Sequence, residues 1–200
     1  MDNCADRDNK KIIICVSGMT GSGKSTVARR LAERYNLEYF SGGNAMKALA
    51  KDEGYDSDVR GWWESPEGLN FLKQRMSDPV FDKKIDQKLL ELATVGNVVL
   101  DSWTVPWLLK EDGFKVWLES SPQARAKRVV NRDRISFEEA LQALTEKDER
   151  TRQIYKDLYG FDLGLDLTPF NLVLATDDLD PDDVFYAVSV VIDRLVFGKK

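Results

Sequence analysis

Apolar positions along the chain fall into two rhythms. Short β-branched or aliphatic blocks end in glycine, serine or aspartate, and longer segments repeat an apolar residue every three or four positions. The block KIIICVS, residues 11–17, predicts a buried parallel strand. Residues 26–35 follow with Val27, Ala28, Leu31 and Ala32 at helical spacing. LEYFSGG, residues 37–43, predicts a second strand leading to a helical segment at 44–53, and GYDSDVRGWWESPEG, residues 54–68, is rich in turn residues and reads as irregular. Helical segments at 68–76 and 80–94 are separated by Pro79. NVVLDS (97–102) and FKVWLESSP (114–122) predict two further buried strands, the latter followed by a helix over 123–131. Ser136 with Glu139 forms a capping box for a long helix reaching about Tyr159. FNLVLATDD (170–178) predicts the fifth strand, and Asp180 caps a last helix over 181–196. Strands alternating with helices imply an α/β fold whose parallel sheet is covered on both faces.

Between the first strand and the first helix stands GMTGSGKS, residues 18–25, a full G-x-x-x-x-G-K-[ST] match in the strand-loop-helix context that the motif requires. In such a loop the glycines let successive backbone N–H groups curl around phosphate oxygens, and the helix start adds positive potential. Gly18, Met19, Thr20, Gly21, Ser22, Gly23, Lys24, Ser25 and Thr26 are therefore expected to hold the phosphates of ATP, with Lys24 reaching the β- and γ-phosphates and Ser25 ligating Mg²⁺. Asp101, at the carboxyl end of the third strand, is the acid expected to hold the same ion's water shell.

Composition narrows the chemistry. The 200 residues suit one α/β domain, net charge is −5, and there is no histidine. The charge argues against a protein devoted to nucleic-acid backbones. The missing imidazole removes His-based triads and the usual general base near neutral pH. An acceptor that is itself a phosphate is largely dianionic at neutral pH and needs no base. The longest uncharged run, residues 12–23, falls short of the ~20 apolar residues of a membrane span. The polar start is neither a secretory signal nor a transit peptide, and Cys4 and Cys15 make no disulfide framework, Cys15 reading as a small buried hydrophobe. A cytoplasmic monomer acting on small molecules is expected, with no nucleic-acid or membrane partner.

RAKRVVNRDR brings Arg125, Arg128, Arg132 and Arg134 into one short segment, and Arg150 and Arg152 follow on the next helix. Arg125 and Arg128 read equally as a solvated basic face or as phosphate ligands. Arg132 and Arg134, beside a turn between two helices, suit a hinged cap that brings guanidinium charge to a transferring phosphoryl group. Trp62 and Trp63 read as local packing or as a stacking surface for a base.

Together these segments resemble P-loop nucleoside monophosphate kinases, most closely archaeal-type cytidylate kinases, from residue 12 almost to the end. The resemblance rests on SGMTGSGKSTVARRLAERYNLEYFSGG, DPVFDKKIDQKLLELATVGNVVLDS, VWLESSPQARAKRVVNRD and IYKDLYGFDLGLDLTPFNLVLATD. It implies a three-layer fold with strand order 2-3-1-4-5 and phosphoryl transfer from ATP to a monophosphate, CMP or dCMP first. Residues 1–10 read from their polar composition as a disordered tail, and the resemblance further implies one kinase domain at 11–200, a helical acceptor insert at about 43–94 and a lid at about 131–136. Ser41, Gly42 and Gly43 would lie by the acceptor, and Arg132 and Arg134 in the lid. Two departures stand out: Lys47 and Trp103 occupy positions where the family usually carries arginines for the acceptor phosphate. Another monophosphate or dephospho-coenzyme A remains an alternative acceptor, as does ATP hydrolysis without one. A GTP switch is disfavoured, because no N/T-K-x-D signature follows and LDSWT lacks the glycine of D-x-x-G.

Overall fold

A computed structural model describes residues 11–199; the expected tail at 1–10, with Cys4, lies outside the described residues. Five parallel strands form one sheet: β1 (Ile13–Ser17), β2 (Glu38–Ser41), β3 (Val98–Asp101), β4 (Phe114–Glu119) and β5 (Leu172–Ala175). Their spatial order is β2-β3-β1-β4-β5, as the family resemblance implies. The register brings the carboxyl ends of three strands level, with Asp101 opposite both Val16 and Ser41. In an open α/β sheet, this is the edge where ligands bind.

Alternation along β1 explains why helices lie on both faces. Ile13 and Cys15 join Val98 and Leu100 against α2 (Gly42–Asp52), α3 (Pro66–Ser77), α4 (Val80–Val95) and the short α5 (Val105–Leu108). Ile14 and Val16 point the other way, into a core with Val27 and Leu31 of α1 (Lys24–Tyr35) and with Val188 and Ile192 of α8 (Pro181–Leu195). Each such side chain contributes about 1.5–3 kcal/mol when fully buried. A third cluster packs Met19, Leu72 and Trp117 against Ile154 and Tyr155 of α7 (Phe137–Tyr159), and a fourth joins α6 (Pro122–Asp133) to α7. The Cys15 thiol is buried and pushed up to about 12 by that burial, which fits a small unreactive hydrophobe.

Element boundaries moved where caps decided them. The Ser41 hydroxyl accepts from the Asn44 N–H at 3.3 Å and opens α2 at Gly42, so the glycine pair read as the end of a strand is helix. Ser65 does the same for Gly68, starting α3 at Pro66. The 3₁₀ turn Trp62–Glu64 and α5 are too short to show a periodicity. The capping box at Ser136 and Glu139 is present in full.

Candidate active site

The loop after β1 is shaped by close approach. A Cβ on Gly18 would lie 2.5 Å from Ser22 Oγ and 2.7 Å from the Leu118 carbonyl, which excludes any side chain. Gly23, at φ 92°, enters α1 from the left-handed region and offers no side-chain cap. Among the described residues, the N–H groups of Gly21, Gly23, Lys24 and Ser25 have no protein acceptor. The opposite face of the loop is engaged through its carbonyls. Arg125 Nη1 donates to the Thr20 carbonyl at 3.0 Å, and its Nη2 donates to Asp148 at 2.6 Å. Arg128 Nη1 donates to the Ser22 carbonyl at 3.3 Å and its Nη2 to the Thr176 carbonyl at 2.5 Å. Carbonyls are tied back to α6 and free N–H groups face forward, the arrangement an anion needs. Arg125 is thus neither a solvated face nor a phosphate ligand but a buried support; Arg128 shares that work and also lines the cavity.

Forward of the loop lies a cavity of about 630 Å³ lined by residues of the loop and of α2, α4, α6 and α7. Ser25 Oγ donates to Asp101 Oδ2 at 2.5 Å, and Tyr39 Oη and Ser41 Oγ reach the same oxygen at 3.1 and 3.4 Å. Ser25 and Asp101 are therefore close enough to share one hard cation, and two protein oxygens suit Mg²⁺, which keeps most of its ligands as water and phosphate. Burial lowers the Lys24 pKa, and Asp101 pulls it back up. Its Nζ stands 5.4 Å from the centroid of Trp103, whose Nε1 donates to the Gly18 carbonyl at 2.9 Å. Trp103 is therefore a wall of the phosphate loop itself.

Across the cavity, Arg132 Nη2 pairs with Glu64 Oε2 at 2.9 Å, and Lys147 Nζ lies 3.4 Å from Glu64 Oε1. Lys147 is buried, sits 4.7 Å over the ring of Trp63, and has its pKa lowered to about 8 by desolvation. Lys47, Gly42 and Gly43 also line this space. Arg134 does not: it is the left-handed cap of α6, exposed and outside the cavity lining. Met19 and Gly18 are likewise absent from the lining, Met19 being packed into the core beneath. The two tryptophans divide the roles left open by the sequence, Trp62 being buried against Phe71 and Trp63 lining the cavity.

Sequence reasoning missed Lys147 and Glu64. A signal for Lys147 existed: it stands on the stripe Ala140, Ala143, Leu144, Thr151, Ile154, where a lysine belongs only if it has buried business. Glu64 sits in an irregular stretch and carried no such mark.

A parallel sheet in this order, a phosphate loop entering α1 and an acid ending β3 define the P-loop kinase class of fold. The chain matches shikimate kinase from Bacteroides thetaiotaomicron at a TM-score of 0.57 and 15% identity, covering 94% of this chain and 99% of that one. Within this class the chain belongs to the cytidylate kinase-like family, which it matches over residues 13–178. It is 33% identical to the cytidylate kinase of Pyrococcus horikoshii, covering 92% of this chain and 90% of that protein. It is 32% identical to that of Methanocaldococcus jannaschii (92% and 99%) and 36% to that of Sulfurisphaera tokodaii (86% and 91%).

Proposed function

We propose that the protein transfers the γ-phosphoryl group of ATP to a pyrimidine nucleoside monophosphate, CMP or dCMP, giving the diphosphate and ADP. The observation that carries this reading is a single cavity joining the unpaired N–H groups of the phosphate loop to Lys24, Lys147 and Arg132, and then running on between the helices that follow β2. Residues 18–26 hold the donor phosphates. Ser25 and Asp101 would hold Mg²⁺, which when bound would supply charge neutralisation to the donor phosphates. Lys24 meets charge developing on the bridging and terminal oxygens. The acceptor phosphate, already dianionic, attacks without a base. Ser41, Gly42, Lys47 and Trp103 line its approach, within an acceptor insert at about 43–94.

Arg132 and Lys147 act through exchange. Both are engaged by Glu64, and a phosphoryl group entering between them takes over the partner role of that carboxylate. A lid at about 131–136, carrying Arg132 and Arg134, closes over the phosphates and excludes water. The free, buried Cys15 suits a reducing cytoplasm, and one chain carries every group named here, so the monomer suffices. The test is ADP release measured across CMP, dCMP, UMP, AMP and dephospho-coenzyme A. Stimulation by CMP or dCMP is expected; ADP release indifferent to every acceptor sinks the reading, and stimulation by dephospho-coenzyme A alone moves it to another substrate.

A further inference from the structure

One carboxylate stands among the cations of the phosphate end. Glu64 Oε2 accepts from Arg132 Nη2 at 2.9 Å, its Oε1 lies 3.4 Å from Lys147 Nζ, and the carboxylate is only 2% exposed. Each oxygen meets one cation, as two oxygens of a phosphoryl group would. Farther along the cavity Arg75, Asp82, Asp86 and Thr104 close the lining, all buried. There Arg75 pairs with Asp82 through two parallel hydrogen bonds, Nε to Oδ2 at 3.1 Å and Nη2 to Oδ1, and Asp86 accepts from the Thr104 hydroxyl. Glu64, by contrast, is divided between two cations. Arg132 also holds Asp133, whereas among the described residues Lys147 has no other carboxylate partner.

What fixes Glu64 in place belongs to the acceptor side of the cavity. It ends the 3₁₀ turn Trp62–Glu64, whose Trp62 is buried against Phe71 of α3 and shares a core cluster with Met46 of α2. The Ser65 hydroxyl donates to the Trp62 carbonyl at 2.7 Å and accepts from the Gly68 N–H at 3.1 Å, so the turn and α3 form one piece. The front of the turn is seated on the end of α6, where a Cβ on Gly61 would lie 3.2 Å from Asp133 Cβ. Trp63 and Met46 line the cavity too, so a molecule entering between α2 and α4 bears on the wall that carries Glu64.

We infer that Glu64 is an acceptor-responsive latch: while the acceptor space is empty it occupies Arg132 and Lys147 and keeps them from the γ-phosphate of bound ATP, and an occupied acceptor space frees them for transfer. This rests on the transfer reading above. The reaction held back is hydrolysis, in which a water oxygen bonds to the γ-phosphorus as the bond to the β–γ bridging oxygen breaks. ADP leaves, one proton of the water stays on the phosphate and the other passes to solvent. Cations committed to a carboxylate do not stabilise charge on the γ-oxygens, and the carboxylate itself repels the triphosphate.

The experiment measures ADP release from ATP and Mg²⁺ alone and with CMP, and affinity for the β,γ-imido analogue of ATP with and without CMP. The wild type, Glu64→Gln and Glu64→Asp are compared, with melting temperatures alongside. Glu64→Gln keeps the shape and removes the charge, and should raise acceptor-free ADP release by about 5- to 20-fold while tightening the analogue about threefold without CMP. In the wild type CMP should tighten the analogue by about fivefold or more, a coupling that shrinks in Glu64→Gln. Glu64→Asp retains the charge on a shorter arm and should fall between the two. A merely structural carboxylate would lower melting temperature and CMP-dependent release together without raising acceptor-free release. Acceptor-free release in Glu64→Gln at or below the wild-type level overturns the latch. Should neither variant fold, the wild-type coupling decides alone: tightening of the analogue by CMP upholds the latch, and none overturns it. If no monophosphate stimulates ADP release from the wild type, the transfer reading has failed and the latch with it; if CMP stimulates the wild type but Glu64→Gln leaves acceptor-free release unchanged, only the latch has.

Discussion

The two ends of the cavity are built by opposite means. At the phosphate end, consecutive residues supply backbone N–H groups, and Lys24 and Ser25 of the same loop add side-chain chemistry together with Asp101, Arg132 and Lys147. At the far end every polar group is a side chain, drawn from α3, α4, α7 and the segment after β3. A phosphate is the same on every nucleotide, and a backbone loop suffices for it. The far end instead gathers donors and acceptors that can be exchanged one at a time. Ion pairing differs as well: at the phosphate end Glu64 is shared between Arg132 and Lys147, whereas Arg75 at the far end is matched by Asp82 alone.

Lys24→Ala should cut the contrast most deeply, lowering kcat by about 10³-fold or more. Its melting temperature should hold, since a desolvated ammonium is removed and no core contact is lost. A comparable fall in melting temperature would make the lysine structural. Asp101→Asn comes next, at about 10²-fold at fixed Mg²⁺, partly recovered by raising Mg²⁺; near wild-type activity that ignores Mg²⁺ concentration would contradict the role given to Asp101. Lys147 provides a pH signature. Its ammonium is charged below about 8 and neutral above, so kcat/KM for ATP should decline as pH rises through 8, by about tenfold at pH 9. Lys147→Arg keeps the charge and should remove that limb; a limb that persists belongs to Lys24. Arg132→Ala should lower kcat more than ATP affinity, and more than Arg134→Ala does, because Arg132 lines the cavity and Arg134 does not. Lys47→Ala should be the mildest, raising acceptor KM about threefold at low ionic strength and less at high, as expected for a partly exposed charge.

The same division explains what could be read from the sequence. The strands and the phosphate loop are local: β-branched blocks, a glycine-spaced motif and an acid ending a strand each declare themselves within a few residues, while the strand order follows from the family resemblance. Asp101 can be singled out because its position at the end of β3 is visible in NVVLDS. The far end is assembled from residues distant in the chain, and nothing in the spacing of Arg75, Asp86 and Thr104 announces that they meet. A coarser sign was there. Asp82 and Asp86 stand with Ile85, Leu89 and Ala93 on the buried stripe of α4, just as Lys147 stands on that of α7. Charges on an apolar stripe mark a helix facing a cavity. Trp103 illustrates the converse: its indole N–H secures the Gly18 carbonyl, a contact that no spacing in the sequence announces.

The tethering of the loop carbonyls by Arg125 and Arg128 bears on speed. A glycine-rich loop free in solution samples many shapes, and a nucleotide meeting it has to wait for the receptive one. Here α6 grips the Thr20 and Ser22 carbonyls, and Asp148 anchors Arg125 from behind. The ordering is completed as the chain folds, leaving little to be lost on encounter. ATP association should therefore be a single fast phase whose rate rises linearly with nucleotide concentration.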